Sequence, residues 1–477
     1  MKLLVIGLDC AAPQLVFEQW REELPMLHRL MTTGAYGRLE STHPPITVPA
    51  WASMMSSRDP GELGIYGFRN RKDYSYDGYT IANATALHHE RAWDVLARAG
   101  KQVILVGVPQ TYPVKPINGY VVSDFLTPST KSQYTHPADL KAEVERVSDG
   151  YVFDVEDFRT PDKAALLRRI YAKTDKHFRV AKHLMQTKPW DFFMLVEMGV
   201  DRIHHGFWSY MDPTHPKYQA GNAFEHAIRD YYRFVDAEVG ELIELAPSDT
   251  VVMVVSDHGA KKMDGGICFN EWLIQEGYLA LTHYPSRPTS IDQAAIDWSK
   301  TTAWGDGGYY GRLFLNVRGR EPRGTIPPAD YEGVRQELIE KIAALTDPQG
   351  RHLGSRACRP QDLYRAVNGV PPDLIVYFGD LHWRSVGSVG LGRIYTFDND
   401  TGPDEANHDW HGIFILNSAG CERGLVNPGY KEGLRVYDVG STVLNLFGFP
   451  ADPQAVGRSL TRYASGRAAP VKQGEHR

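Results

Sequence analysis

Four continuous apolar segments, each about the length of one β-strand, constrain the fold more than any other feature of this sequence. They read KLLVIGLD (2–9), QVILVGVP (102–109), DFFMLVEMG (191–199) and TVVMVVSDHG (250–259). Uninterrupted apolar residues are typical of parallel strands that are buried on both faces. Helical patterns such as LLRRIYAKTDKHFRVAKHLMQ separate these segments. The alternation predicts an α/β fold, in which helices cover both faces of an open and mostly parallel sheet.

The regular alternation stops after Asn270. A helical segment (EWLIQEGYLAL), a stretch containing Pro, Ser and Thr, a segment rich in Gly and Tyr, and a second helix near 330–345 follow. This change predicts an inserted cap region over 271–395. Strand-like DLIVYF (373–378) and GIFIL (412–416) are expected to return to the core sheet.

The closing segment YDVGSTVLNLFGF predicts an amphipathic helix with Asp438 as its N-cap. The predicted organisation is therefore a core formed by 1–270 and 396–463, the insertion between them, and a frayed tail over 464–477. Few apolar residues occur in that tail.

Charge and cysteine content exclude several classes of protein. A formal net charge of −6 provides no broad basic surface, so we do not expect the chain to bind a nucleic acid duplex. The four cysteines lack a CxxC spacing, which argues against a structural zinc knot and a disulfide framework. The apolar run after Met1 is shorter than a signal sequence, and no segment approaches the ~20 apolar residues that span a bilayer. We expect a cytoplasmic protein that does not associate with membranes.

Two of the predicted sheet edges carry paired ligand-type residues. VDRIHH places Asp201 and His205 four residues apart, on one face of a helix and within reach of one metal ion. A surface ion pair is the alternative. SDHG places Asp257 and His258 directly after a valine-rich strand, where both side chains turn toward a crevice. A helix cap or a turn is the alternative there.

NHDWHG offers His408 and His411 just before GIFIL, and Asp9 ends the first strand. Either histidine is alternatively a buried structural residue. Ligands bind outside the carboxyl ends of parallel strands, so we expect these segments to meet at one edge. Mixed carboxylate and imidazole ligands suit zinc or manganese better than calcium or magnesium. A site for two metal ions is the simplest interpretation.

Thr47 is the candidate nucleophile. It follows an extended Pro-rich segment and precedes Pro49 in HPPITVPAWASMMS, a pattern typical of a threonine near a helix N-terminus. The positive end of that helix would favour an alkoxide and an incoming phosphoryl oxygen. An ordinary capping threonine is the alternative.

These motifs together resemble the alkaline phosphatase superfamily, and within it the type I phosphodiesterase/nucleotide pyrophosphatase group. The similar segments include GLDCA, PPITVPAWASMMSSRDPGELGIYGF, GVPQTYPV, VDRIHHGFWSYMDPTHPKY, SDHG, RGREPRGTI and HDWHGIFI, in that order. The resemblance covers most of the chain and implies an alkaline phosphatase-like fold with two divalent metal ions, zinc or else manganese.

The resemblance also implies roles for individual residues. One ion is expected on Asp201, His205 and His408; the other is expected on Asp9, Asp257, His258 and the Thr47 oxygen. His408 rather than His411 matches the family spacing.

Two departures from the family concern the region after the nucleophile helix. Leu63 stands where the family often has histidine. An asparagine that commonly contacts phosphate has no clear counterpart, so substrate contact by Asn70 and Arg69 is a tentative expectation.

The resemblance implies a hydrolase of phosphoric esters or anhydrides that acts through a threonyl-phosphate, with a small phosphorylated substrate such as a nucleotide. A phosphomonoesterase or phosphomutase is the alternative. A sulfatase is disfavoured because the chain has Thr47 instead of the cysteine that becomes formylglycine. A non-catalytic binding protein would be expected to lack a ligand or the nucleophile. The aromatic residues Trp304, Tyr309 and Tyr310 are expected to pack in the core of the insertion, with stacking on a base or sugar as the alternative.

Overall fold

A computed structural model of the chain describes residues 1–418, 425–450 and 452–461. The predicted frayed tail over 464–477 lies outside the described residues. In chain order, the strands are β1 (Leu3–Leu8), β2 (Ala35–Glu40), β3 (Arg69–Arg71), β4 (Tyr79–Ile81), β5 (Val103–Val106), β6 (Gly119–Val122), β7 (Thr135–His136), β8 (Phe192–Glu197), β9 (Val251–Val255), β10 (Gly259–Lys262), β11 (Gly265–Cys268), β12 (Ala303–Asp306), β13 (Gly311–Leu315), β14 (Arg356–Cys358), β15 (Leu374–Tyr377), β16 (Trp383–Val386), β17 (Tyr395–Thr396), β18 (Ala406–Asp409), β19 (His411–Asn417), β20 (Gly429–Tyr430) and β21 (Leu434–Arg435).

The α-helices of the described residues lie between these strands. They are α1 (Pro25–Thr33), α2 (Thr47–Ser56), α3 (Pro60–Leu63), α4 (Ala92–Arg98), α5 (Leu140–Ser148), α6 (Lys163–Thr187), α7 (Gly199–Met211), α8 (Ala227–Leu245), α9 (Phe269–Gln275), α10 (Tyr331–Ala343), α11 (Pro360–Leu363) and α12 (Tyr437–Leu446). None of the described helices is long and apolar enough to cross a membrane.

The central sheet has the spatial order β20-β2-β19-β9-β1-β8-β5-β6-β7, and β21 also pairs with β2. Strand β1 lies between β8 and β9 and runs parallel to both, with Leu3 opposite Phe192 and Val251. Strand β19 runs antiparallel to β9 and β2, and β7 runs antiparallel to β6. The predicted α/β fold with an open, mostly parallel sheet is confirmed.

Helices cover both faces of this sheet, as its sequence pattern requires. Alternate residues of β1 point to opposite sides, so Leu4 and Ile6 pack with α6, α7 and α8, whereas Leu3 and Val5 pack with α2, α4 and α12. All six residues of β1 are buried. A strand with this environment must be apolar at every position, which explains the continuous apolar run.

The region predicted as an insertion contains a separate antiparallel sheet with the order β12-β13-β15-β14. Its core includes Trp304, Leu313 and Val376 and packs against α9 and α10. The prediction that DLIVYF returns to the core sheet is wrong, because β15 pairs with β13 and β14 instead. GIFIL does return to the central sheet, as part of β19. An apolar segment indicates that a strand is buried. It does not indicate which strand is the hydrogen-bonding partner, because that depends on residues distant in the sequence.

Two predicted helix ends differ from the structure. Helix α9 ends at Gln275, because Gly277 adopts a left-handed φ of 81° that a helix does not continue through. Asp438 is not the N-cap of α12. It lies inside the first turn, and its carboxylate accepts hydrogen bonds from the backbone N–H groups of Arg435 and Arg458.

Candidate metal centre

The topology brings four ligand-bearing segments to one edge of the central sheet. Asp9 follows β1, α7 begins directly after β8, and Asp257 follows β9, so their side chains share the carboxyl edge of parallel strands. Strand β19 runs the other way, so its amino end lies at that edge, with His408 on β18 just before it. The edge also lies where ligands bind in open α/β sheets.

One group of ligand-type residues consists of Asp201, His205 and His408. The two histidine Nε2 atoms are 3.3 Å apart, and Asp201 Oδ1 lies 3.2 Å from His205 Nε2 and 3.6 Å from His408 Nε2. All three residues are buried, and one ligand atom from each lies within 4.8 Å of the others. The helical i,i+4 spacing of Asp201 and His205 supports this convergence.

A second group lies beside the first and consists of Asp9, Asp201 and His258, again with ligand atoms within 4.8 Å. His258 Nε2 is 3.7 Å from Asp9 Oδ1 and 3.2 Å from Asp257 Oδ2. Asp257 therefore adjoins this group, as expected. Asp201 contributes to both groups, although it was predicted for only one.

The three carboxylates have the same pattern of contacts. One oxygen of each is hydrogen-bonded or ion-paired by the protein, and the other is buried without a hydrogen-bond partner among the described residues. The unpartnered atoms are Asp9 Oδ1, Asp201 Oδ1 and Asp257 Oδ2. Buried carboxylate oxygens without a partner are costly, so their convergence fits a bound cation.

The three histidines also have a shared pattern. Each Nδ1 lies beside an oxygen acceptor: Asp404 for His205, the Gly259 carbonyl for His258 and the Pro45 carbonyl for His408. An oxygen acceptor places the proton of a neutral imidazole on Nδ1 and its lone pair on Nε2. Burial opposes protonation of His205, but Asp404 and Asp201 raise its pKa to about 9, so a metal ion would have to displace the proton from its Nε2. The three Nε2 atoms and the three carboxylate oxygens without a hydrogen-bond partner thus form a donor set that suits zinc or manganese.

The electrostatics of the cluster support the same interpretation. Burial, together with the nearby Asp201, raises the pKa of Asp9, and burial together with Asp9 raises the pKa of Asp257. Burial also opposes ionisation of Asp201, but the charges of His205 and Arg202 hold its pKa well below the ordinary value. Ionised carboxylates this close repel one another, so a cation between them would be needed for all three to be ionised together.

Burial lowers the pKa of His258 to about 4, so its imidazole is neutral near pH 7. Neutral imidazole is the form that binds a metal ion.

Thr47 is the first residue of α2, as its sequence context predicts. Its Oγ1 lies 3.3 Å from His258 Nε2, and the residue is buried. The N-cap position belongs to Ile46, and no side chain caps this helix end. The hydroxyl is therefore directed at the ligand atoms, which argues against the capping interpretation.

Trp51 is a contributor to the site that the sequence interpretation missed. Its indole Nε1 donates a 2.7 Å hydrogen bond to Asp9 Oδ2 and so ties α2 to the end of β1. A detectable signal was present, because Trp51 follows Thr47 by four residues and shares its helix face.

Asp404 and Tyr309 were also missed as parts of the site. Asp404 Oδ1 accepts a 2.8 Å hydrogen bond from His205 Nδ1, and the half-buried Tyr309 ring stacks on both His205 and His408. Trp304 and Tyr310 are buried members of hydrophobic clusters, as predicted, whereas Tyr309 is only partly buried and packs at the margin of the Tyr310 cluster. No local sequence pattern indicates this role for Asp404 or Tyr309.

The tentative substrate contacts lie apart from these ligand groups. The Asn70 carboxamide accepts from the backbone N–H of Tyr66 and donates to the Gly67 carbonyl, and the Arg69 side chain is exposed. Neither makes a described contact with a ligand residue, and their contact with substrate remains a prediction.

Two further histidines near the site are not among its ligand groups. His204, next to His205 on α7, is buried against Tyr232 and Trp208. His411 begins β19 and pairs with Glu40 in the sheet.

The family model described as type I phosphodiesterase / nucleotide pyrophosphatase matches residues 3–412. No curated protein matches the chain.

Similar solved structures include the human ectonucleotide pyrophosphatase / phosphodiesterase 5, at 13% identity and a TM-score of 0.56, covering 97% of this chain and 100% of that one. An inactive threonine-to-alanine variant of the murine ectonucleotide pyrophosphatase / phosphodiesterase 5, in complex with AMP, has 14% identity and a TM-score of 0.54, covering 95% and 96%. Phosphonoacetate hydrolase from Sinorhizobium meliloti, in complex with phosphonoformate, has 15% identity and a TM-score of 0.59, covering 93% and 95%. At these identities the similarity shows a shared fold.

Proposed function

Because the chain belongs to the type I phosphodiesterase/nucleotide pyrophosphatase family, we propose that it hydrolyses a phosphodiester or phosphoric anhydride bond of a small substrate, with Thr47 as nucleophile and two divalent metal ions as cofactors. One observation carries this proposal above the others. Three carboxylate oxygens without a hydrogen-bond partner and three imidazole Nε2 atoms converge beside a buried threonine hydroxyl at a helix N-terminus.

The donor set divides into two half-sites. Asp201, His205 and His408 would hold one ion, and Asp9, Asp257 and His258 would hold the other beside Thr47. We propose zinc, with manganese as the alternative, because imidazole nitrogen is a poor ligand for calcium or magnesium. When bound, such ions favour the alkoxide form of a hydroxyl and offset negative charge on phosphoryl oxygens.

The chain itself positions the nucleophile. Thr47 lies at the first position of α2, where N–H groups lack intrahelical partners and the helix dipole favours negative charge. In the proposed reaction Thr47 Oγ1 bonds to phosphorus while the bond to the leaving oxygen breaks. A water molecule then attacks the threonyl-phosphate, breaks the bond between phosphorus and Oγ1, and restores the hydroxyl.

Charge favours a diester or anhydride over a dianionic monoester. Two divalent ions carry four positive charges, which three carboxylates and one alkoxide offset. Arg202 adds little surplus charge, since it is ion-paired with Asp154, which is not among the three carboxylates counted. Arg71 is ion-paired with Glu321 in the same way. A diester phosphate carries one negative charge and needs less compensation than a monoester.

The solved neighbours are consistent with a small phosphorylated substrate. The murine neighbour is inactive after a threonine-to-alanine change and was solved with AMP, and the hydrolase neighbour was solved with phosphonoformate. Both ligands are small and carry a phosphorus oxyanion. This supports a threonine nucleophile and a compact substrate for the present chain.

A substrate panel tests the proposal. Protein loaded with Zn²⁺ or Mn²⁺ would be assayed with a phosphomonoester, a phosphodiester, a nucleotide anhydride and a sulfate ester, and kcat/KM compared. We expect the diester or the anhydride to be turned over fastest. Preferred hydrolysis of the monoester would instead support a phosphomonoesterase or phosphomutase, and absence of turnover on all four would contradict the proposal.

A further inference from the structure

We propose that Tyr309 is a positioning residue of the metal centre: its ring fixes the imidazoles of His205 and His408, and its hydroxyl holds Asp404 against His205. This inference rests on the metal sites of the proposed function. Tyr309 lies in the turn between β12 and β13, within the region predicted as an insertion. The inserted region therefore contributes directly to a site whose ligands all come from elsewhere in the chain.

The first line of support is ring packing. The Tyr309 ring lies 4.1 Å from the His408 ring at an interplanar angle of 26°, and 4.7 Å from the His205 ring at 21°. The opposite face of His408 stacks on His258 at 3.8 Å and 16°. His408 thus lies between the rings of Tyr309 and His258. Through Tyr309 the stacked rings extend to His205, so they connect histidines of both half-sites. Such stacking restricts rotation of an imidazole about its side-chain bonds.

The second line of support is a chain of hydrogen bonds through the phenol. The Tyr309 hydroxyl accepts a 2.8 Å hydrogen bond from Arg159 Nη2 and donates a 3.2 Å hydrogen bond to Asp404 Oδ2. The other oxygen of Asp404 accepts from His205 Nδ1 at 2.8 Å. Arg384 Nη1 also donates to Asp404 Oδ2. Since Asp404 keeps the proton of His205 on Nδ1, groups that fix Asp404 also fix the Nε2 lone pair for metal binding.

The third line of support is the rigidity of the turn that carries Tyr309. The Asn407 side chain, adjacent to His408 in sequence, donates a 3.1 Å hydrogen bond to the Tyr309 carbonyl. Gly308 exchanges two backbone hydrogen bonds with Ser385, at 2.8 and 3.0 Å. These hydrogen bonds fix the backbone of the turn, and those of the hydroxyl fix the other end of the Tyr309 side chain. Because its own position is fixed, the Tyr309 side chain can restrict the orientation of the metal-ligand histidines.

Direct titration with Zn²⁺ tests the inference without relying on catalysis. The full-length chain would be stripped of metal with a chelator, and Zn²⁺ Kd and stoichiometry measured in competition with a chromophoric chelator. Tyr309→Phe removes the hydroxyl but keeps the ring, and Tyr309→Leu removes both. Loss of an outer partner of a metal ligand weakens binding by about 10- to 100-fold, so we expect about 10-fold for Tyr309→Phe and about 100-fold for Tyr309→Leu.

Tyr310→Phe is the matched control. It deletes the neighbouring phenol, which donates to the Tyr66 carbonyl and makes no described contact with a metal-ligand residue. Its Zn²⁺ affinity is expected to equal that of the parent. In the Tyr309 variants, kcat at saturating Zn²⁺ should approach the parent value while the Zn²⁺ concentration for half-maximal activity rises, a split that a purely structural defect would not produce.

Three outcomes decide the matter. Parent-like Zn²⁺ affinity in Tyr309→Leu would overturn the inference while leaving the proposed function intact. If Tyr309→Leu does not fold, Tyr309→Phe and Asp404→Asn take its place, and parent-like affinity in both would overturn the inference equally. A parent chain that binds no Zn²⁺ or Mn²⁺ would remove the metal sites of the proposed function, and the inference with them.

Discussion

Replacing Thr47 by alanine separates catalysis from stability, because the Thr47 side chain does not cap the helix that it begins. The hydroxyl lies 3.3 Å from His258 Nε2 instead. If Thr47 is the nucleophile, Thr47→Ala removes the atom that bonds to phosphorus. We expect kcat to fall at least ~10³-fold, which corresponds to ~4 kcal/mol of transition-state stabilisation.

The expected change in stability is small, and its size follows from the contacts of Thr47. The substitution removes one buried methyl group, worth ~0.8 kcal/mol, and one hydroxyl contact, worth ~1 kcal/mol. Better helix propensity of alanine offsets ~0.5 kcal/mol of this loss. The net cost is on the order of 1 kcal/mol, or a few °C at most in Tm for a chain of this size.

The assay compares kcat with Tm in matched variants, using the best substrate from the panel. Thr47→Ser keeps the hydroxyl and should retain measurable activity. Ser56→Ala is the control for the same helix, because it removes a hydroxyl that donates to the Ala52 carbonyl in the last turn of α2. Its turnover should match that of the parent.

A Thr47→Ala protein that hydrolyses the substrate at nearly the parent rate would refute the nucleophile assignment. So would a loss of rate accompanied by a much lower Tm and loss of bound metal, because the rate would then report damage to the fold.

Four further predictions address the metal ions and the buried charges. Removal of metal by a chelator should abolish turnover, and added Zn²⁺ or Mn²⁺ should restore it; full activity of metal-free protein would contradict metal dependence. His408→Ala should lower bound metal and kcat together in a folded chain, as measured by elemental analysis beside a thermal melt, and unchanged metal content would show that the ligand assignment is wrong. Trp51→Phe removes the indole N–H that Asp9 accepts and should weaken Zn²⁺ binding about tenfold, measured by competition with a chelator; parent-like affinity would mean that this hydrogen bond does not orient the ligand. Glu197→Gln removes the negative charge that is paired with the buried Lys173 and should cost ~3–5 kcal/mol in denaturant unfolding. Burial opposes ionisation of Glu197, but Lys173 holds its pKa well below the ordinary value, so the stabilisation is present above about pH 4 and lost as the pH falls; equal acid sensitivity of parent and variant would refute this.

The sequence was sufficient for the central strands. Buried parallel strands must be apolar on both faces, so KLLVIGLD and TVVMVVSDHG correspond to β1 and β9. It was insufficient for β15, which has the same apolar character but joins the smaller sheet. The apolar side chains of a strand indicate that it is buried. Its pairing partner depends on backbone hydrogen bonds, which every residue except proline can make regardless of its side chain.

The same contrast holds at the site. Helical spacing brings Asp201 near His205, and Pro49 marks a helix start near Thr47, so these parts were predictable from local geometry. Asp201 serving both ligand groups was not, because the approach of His258 depends on how β1, β8 and β9 pair.

By itself, therefore, the sequence determined the fold class, the chemistry of the ligand atoms and the local elements that carry them, since these follow from residue type and from periods of two or 3.6 residues. Only the tertiary structure decided which side chains orient those ligands. Tyr309 and Asp404 are 95 residues apart in the chain and form a hydrogen bond across the site. No period in the sequence links residues at that distance, because their contact is produced by the packing of the turn between β12 and β13 against the segment that precedes β18.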